Sequence, residues 1–307
     1  MSKVLRGAVV GVGYLGQFHA QKYANCPDVE LIGVCDAFPE QADKIAANME
    51  VQSFHKPEDL IGKVDVVTIA ASTLSHFELA EMYLKNGIHV NVEKPITATV
   101  PQAEILVKLA KEKNLKLAVG HIERFNPSVI EIKKNLKGLK FLELTRMAPY
   151  KARGADVSVL HDLMIHDIDM LYNLTGSEIK SMTASGSKLI SPALDVASVS
   201  MVMENGVHAL INVSRIATNT VRSVRVVQEE NTLFANTGTH ELEKVEKGSA
   251  EEPIRITKWT LEKADALQAE TNAFIKAVLN NEEPVVTGVD GLRALRTIEE
   301  IEKLIGK

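Results

Sequence analysis

Three sets of residues in this chain have types and spacings that suit chemistry. The first is Gly11-Val12-Gly13-Tyr14-Leu15-Gly16, which follows an apolar run and opens an amphipathic one. In such a turn one glycine permits the tight bend, one lets the backbone approach a pyrophosphate, and one allows close helix–strand packing. The helix that follows offers free N–H groups and partial positive charge to phosphate. Asp36 ends the next apolar run, 20 residues past Gly16. A carboxylate there accepts hydrogen bonds from both ribose hydroxyls of an adenosine. Ala37-Phe38-Pro39 follows it with no cation, which favours NAD over a cofactor carrying a ribose phosphate. The plain alternative is a glycine turn beside a loop aspartate.

The second set is Lys94-Pro95, just past a strand at the carboxyl edge of a sheet, where open α/β sheets bind ligands. Pro95 biases Lys94 away from helix. An ammonium there can hydrogen-bond a reacting hydroxyl, or act as a base if burial lowers its pKa. The third set is Asp162, His166 and Asp169 in a predicted helix. Asp162 and His166 are four apart and share a face. A carboxylate beside an imidazole fixes its tautomer and raises its basicity. That suits removing the proton of an alcohol as hydride leaves its carbon. Taken singly, the lysine reads as a loop residue and the His–Asp pair as a satisfied structural contact. A metal is not expected, because His161 and His166 lie about 140° apart around an α-helix. Arg124 is placed to meet a phosphate or carboxylate and Asn126 a sugar hydroxyl, against plain roles at a helix start before Pro127. Lys151, Arg153, Arg222 and Arg225 are further candidates for a diphosphate. Thr73 and His76 follow another strand, and His76 reads equally well as a capping or solvent-facing residue.

The elements that must position these groups fall into two rhythms. Nearly continuous apolar runs at Ala8–Val12, Leu31–Cys35, Val64–Ala70, Ile88–Val92 and Leu115–Val119 alternate with helical patterns. That is how parallel strands buried on both faces read, and it implies a doubly wound Rossmann-type sheet. After Gly120, helical stretches at about 127–137 and 157–174 flank a strand, Leu139–Pro149. Then come Ile179–Ser187, Ala193–Met203, Val207–Ser214, Val221–Gln228 and His240–Val245, with helices at Leu261–Leu279 and Leu292–Leu304. Strands in succession imply an open, mainly antiparallel sheet in an α+β domain. The expected domains are 1–121 for the cofactor and 122–307 for substrate and oligomer contacts. One sheet face is small and partly polar, which suits a wet subunit interface.

With 45% hydrophobic residues, the 307-residue chain can build real cores. Its net charge of −5 argues against a nucleic-acid binder. Two cysteines, Cys26 and Cys35, cannot staple a chain this long, so a reducing cytoplasm is expected. The start carries no long apolar segment and no run approaches ~18 apolar residues, so neither an export signal nor a membrane span is expected.

Glu93-Lys94-Pro95, Gly120-His121-Ile122-Glu123-Arg124-Phe125-Asn126-Pro127 and Asp162-Leu163-Met164-Ile165-His166-Asp167-Ile168-Asp169, with the N-terminal glycines, resemble the Gfo/Idh/MocA oxidoreductase family over essentially the whole chain. The resemblance implies NAD held by Gly11, Gly13, Tyr14, Leu15, Gly16, Asp36, Ala70, Thr73, His76, Glu93 and Lys94. It implies a catalytic set of Lys94, Asp162 and His166, with either Lys94 or His166 as the base. Arg124, Asn126 and Arg153 join that set around the substrate. The runs from His121 to Pro127 and from Asp156 to Asp169 resemble the branch of UDP-N-acetylglucosamine 3-dehydrogenases. That branch feeds lipid A or surface polysaccharide through a pyridoxal-phosphate aminotransferase. The alternatives are an inositol, free-sugar or sugar-acid dehydrogenase, a non-catalytic NAD-sensing regulator, and the family's NAD-dependent glycosidases. Family members commonly form dimers or tetramers, so a homo-oligomer is expected.

Overall fold

A computed structural model describes residues 4–151 and 157–306. In the first unit, β1 (Leu5–Val10), α1 (Gly16–Ala24), β2 (Val29–Cys35), α2 (Pro39–Met49), β3 (Gln52–Phe54) and β4 (Val66–Ile69) follow one another. Then come α3 (Thr73–Lys85), β5 (His89–Glu93), α4 (Val100–Glu112) and β6 (Leu117–Gly120). The strands pair in parallel in the order β3-β2-β1-β4-β5-β6. This is the Rossmann order, with its ligand crevice outside the strand ends where β1 and β4 lie side by side. The short central strand β4 is buried along its whole length, as a strand covered on both faces must be. The sequence gives no sign of β3, because it has three residues and only Phe54 is buried.

The second unit contains α5 (Pro127–Lys134), β7 (Phe141–Met147), a π-helical turn (Leu160–Met164) and α6 (Ile165–Thr175). β8 (Ile179–Ser187), β9 (Val196–Met203), β10 (His208–Ser214), β11 (Val221–Val227), β12 (Asn231–Asn236), β13 (Glu241–Lys247) and β14 (Ile254–Thr260) complete it. Among the described residues they form an eight-stranded sheet, β14-β13-β12-β11-β7-β10-β9-β8. Every neighbouring pair is antiparallel except β7 with β10. Alternation places Ala197, Val199, Met201, Ala209, Ile211 and Val213 in the core, while Ser198 and Ser200 stay exposed. β12 and β14 were not expected from the sequence. β12 buries only Leu233 and Ala235, and β14, at the sheet edge, buries none of its residues.

The two compact units are discontinuous in sequence. One comprises residues 1–122 and 265–295, the other 123–264 and 296–307. The expectation that 122–307 forms one domain therefore changes. Helix α7 (Ala266–Asn280) and the start of α8 (Gly288–Ile305) return to the Rossmann unit. The reason is burial: Phe274 and Ile275 of α7 join the core formed by Leu5, Val9, Ala20 and Tyr23. Asp265 caps α7 at the Gln268 N–H and pairs with Lys22 at 2.7 Å. Thr287 bridges to Ala118 of β6.

Candidate functional site

In the first unit the three glycines have separable tasks. Gly11 has φ of +82°, and a Cβ there would lie 2.5 Å from the Ala71 nitrogen. A Cβ on Gly16 would lie 1.7 Å from the Gly11 carbonyl oxygen, so α1 can approach β1 only at a glycine. A Cβ on Gly13 would meet nothing within 4 Å, which leaves the backbone open to a ligand. The Asp36 carboxylate accepts the Val12 N–H at 2.8 Å through Oδ2 and the Phe38 N–H at 2.9 Å through Oδ1. It thus braces the glycine turn.

Gly11, Gly13 and Asp36 border a cleft of about 1040 Å³, with Ala70 on its wall. The volume, the open Gly13 and the acid at the end of β2 fit the adenosine half of a dinucleotide. Tyr14 and Leu15 are exposed beside the turn. The cleft is also lined by Phe38, Gln41, Lys44, His55, Ser72 and Ser75, which sequence reasoning missed. His55 follows the unexpected strand β3, and Lys44 lies in the second turn of α2 with no motif around it. Thr73, expected at the cofactor, opens α3 without lining the cleft.

His76, expected at the cofactor with a capping or solvent-facing role as the alternative, does not face solvent. It is buried, with Nδ1 2.9 Å from the Pro95 carbonyl oxygen and Nε2 3.1 Å from that of Ala71. Burial pulls its pKa below the ordinary value despite both carbonyls. The ring therefore ties the end of β4 to the Lys94-Pro95 turn, whose peptide bond is cis. Glu93, expected at the cofactor, turns its carboxylate to the protein. Oε1 lies 2.8 Å from His19 Nε2, and Oε2 accepts the Lys94 N–H at 3.1 Å. Lys94 itself directly follows β5, at the carboxyl edge of the sheet.

In the second unit Asp162 lies in the π-helical turn and His166 in the first turn of α6; both are partly buried. The expected α-helical spacing between them is thus corrected. A π turn closes i→i+5 bonds and is wider than 3.6 residues, so the 140° separation of His161 and His166 does not hold either. His161 Nδ1 instead faces Glu302 Oε1 at 3.4 Å.

Two substrate expectations meet prior engagements. Arg124 donates from Nε to both Asp169 oxygens, at 3.1 and 2.9 Å, and from Nη2 to Oδ1 at 2.6 Å. Asp169 is 1% exposed, so it serves Arg124 rather than the Asp162–His166 face. Asn126 is the N-cap of α5: its Oδ1 accepts the Ser128 N–H, and its Nδ2 donates to Glu123 and to the Thr237 carbonyl. A capping amide satisfied on all sides has little left for a sugar hydroxyl. Arg225 pairs with Glu143 at 2.9 Å and lies over the Phe141 ring. Arg222, half-exposed, faces Glu123 at 3.7 Å. Lys151 is exposed, and Arg153 lies outside the described residues.

Sequence reasoning also missed a buried cluster beside these residues. Arg146 donates from Nε and Nη2 to Asp167 and from Nη1 to Glu123 at 2.8 Å. Burial works against the guanidinium charge, but Asp167 and Glu123 outweigh it and raise its pKa. Its sequence signal was Glu123 inside the run that holds Arg124 and Asn126.

Comparison with known proteins adds a second line of observation. Residues 5–121 match the model of an oxidoreductase family with an NAD-binding Rossmann fold, and residues 145–234 match the GFO/IDH/MocA C-terminal domain. The chain is 34% identical over 296 residues to UDP-N-acetylglucosamine 3-dehydrogenase of Acidithiobacillus ferrooxidans, covering 95% of this chain and 94% of that one. A solved structure of that enzyme superposes with a TM-score of 0.92, covering 98% of each chain at 33% identity. Inositol 2-dehydrogenase of Rhizobium meliloti is 28% identical over 316 residues, 95% of this chain and 94% of that one.

Proposed function

The chain belongs to the GFO/IDH/MocA oxidoreductase family, and on that premise we propose that it oxidises the carbon-3 hydroxyl of UDP-N-acetylglucosamine to a ketone. It is an NAD-dependent dehydrogenase of sugar hydroxyls. The carbon-3 assignment is carried by one observation: likeness to the Acidithiobacillus enzyme runs through both units at 34% identity, not through the cofactor unit alone.

Bound NAD supplies the hydride acceptor. The glycine turn and the N-terminus of α1 would hold its pyrophosphate, and Asp36 would take the adenosine ribose hydroxyls. As the carbon–hydrogen bond gives up its electron pair, the hydroxyl proton must leave for a base on the protein. Lys94 and His166 are the two candidates, with Asp162 in the turn before His166. Arg124 contributes through its lock on Asp169, and Asn126 through the start of α5, rather than by direct contact with sugar.

The test is a panel of nucleotide sugars, free sugars and inositols with NAD, scored at the absorbance band of reduced nicotinamide. UDP-N-acetylglucosamine should give the highest kcat/KM. A preference for an inositol moves the chain to the reading favoured by its 28% relative. Tight NAD binding with no turnover on any member points to a sensor.

The product, a 3-keto sugar nucleotide, suits a pyridoxal-phosphate aminotransferase as its consumer, in lipid A or surface-polysaccharide synthesis. That setting is cytoplasmic, and no helix among the described residues is long and apolar enough to cross a membrane. The open sheet face, with Ser198, Ser200 and Asn212 on it, is the contact between copies in this reading. Light scattering should return at least twice the 33.6 kDa chain mass; a single-chain mass at micromolar concentration removes the oligomer.

A further inference from the structure

Beneath the Lys94 turn lies a set of polar groups, buried except for the partly buried Glu93, and of these only Glu93 belongs to a sequence motif. His19 comes from α1, Asn91 and Glu93 from β5, and Glu270 from α7. His19 and Asn91 are each 1% exposed and Glu270 is 4% exposed. Asn91 Nδ2 donates to Glu270 Oε1 at 3.3 Å. His19 Nε2 and the Lys94 N–H take the two oxygens of Glu93. Gly120 makes room for that carboxylate, since a Cβ there would sit 3.2 Å from Glu93 Cδ and Oε2.

We propose that His19, Glu93 and Glu270 are positioning residues for Lys94, a charge-coupled set in which the Glu93 carboxylate, held by His19, fixes the Lys94 main chain. The inference rests on the reading that Lys94 works at the sugar hydroxyl. The groups facing one another are few. His19 faces Glu93 and Glu270; Glu93 faces His19 and Lys94; Glu270 faces His19, Glu93 and Asn91. Two carboxylates and one imidazole cannot all ionise cheaply away from water, so the set keeps an extra proton.

The directions agree with that. Burial opposes the His19 charge, yet Glu93 and Glu270 raise its pKa. Burial opposes the Glu93 charge too, but His19 and Lys94 bring its pKa below the ordinary value. The proton left over falls to Glu270, which burial and the Glu93 charge push up to about 7. When Glu270 releases it, His19 is shared between two anions. Its grip on Glu93 then loosens as pH rises through about 7.

The experiment uses the full chain saturated with NAD. The His19 imidazole is followed by nitrogen NMR against pH, and kcat against pH is measured on the best sugar of the panel. Wild type should show an inflection near pH 7 in both; Glu270→Gln should shift the His19 inflection and lose the one in kcat. His19→Leu should lower kcat roughly 10- to 100-fold, with KM for NAD within about twofold of wild type. His19→Gln, which keeps an amide donor for Glu93, should recover most of the loss. The proposal is overturned if Glu270→Gln leaves either inflection at its wild-type pH, or if His19→Leu folds and turns over at the wild-type rate. Should His19→Leu not fold, Glu270→Gln decides alone. The NMR titration needs no substrate. Absence of turnover on every sugar therefore counts against the proposed reaction, while an unmoved His19 resonance counts against the chain of residues.

Discussion

Each unit sets two carboxylates against one buried nitrogen-bearing side chain, and the choice of that side chain separates them. In the Rossmann unit it is an imidazole, His19 with Glu93 and Glu270. In the second unit it is a guanidinium, Arg146 with Asp167 and Glu123. A guanidinium does not deprotonate in proteins and presents a rigid fork of five donors. Arg146 therefore keeps its own charge while it fixes β7 to α6 and to the Glu123 turn. The imidazole set has no such permanent charge, and its members trade protons. One cluster is architecture; the other is architecture whose charge depends on pH, set directly beneath Lys94.

Removing the guanidinium is the strongest way to break the comparison. Arg146→Met keeps a similar stem but leaves Glu123 and Asp167 buried without a counter-charge. The expected loss is about 3–5 kcal/mol in denaturant unfolding at pH 7. A loss under about 1 kcal/mol shows that the second cluster does not hold its unit together.

A smaller effect sharpens the contrast at the other cluster. The folded-state pKa of Glu270 is raised from the ordinary 4.5 to about 7, so the native state binds its proton more tightly than the unfolded chain does. The stabilisation this gives is full below about pH 4.5 and is lost as pH rises through about 7. Glu270→Gln has no proton to lose. Its stability relative to wild type should therefore climb by about 3 kcal/mol between pH 4.5 and 7.5. A flat difference across that range returns Glu270 to an ordinary buried contact.

The parts of the molecule that the sequence makes legible are those whose signal is local. The glycine turn, Asp36 and the buried parallel strands are each set by a few adjacent residues, because a tight turn and a doubly covered strand constrain composition directly. The alternation in β9 and β10 is equally plain, since one face must be apolar. What escaped depends on distant partners. The roles of Arg124 and Asn126 turn on Asp169 and Thr237, far along the chain. Strands β3 and β14 bury too little to leave a period. The π turn at Leu160–Met164 carries residues that read as ordinary helix, so its different pitch is invisible without coordinates. His19 and Glu270, 251 residues apart, had no shared motif to join them.

The return of α7 to the first unit has a consequence for how the molecule comes into being. During synthesis on the ribosome, the first 122 residues emerge long before Phe274 and Ile275 exist to cover their side of the apolar interior. The nucleotide-binding half therefore waits, unfinished, for almost the whole polypeptide. A fragment ending at residue 122 carries every glycine of the cradle and still lacks a wall of its own core.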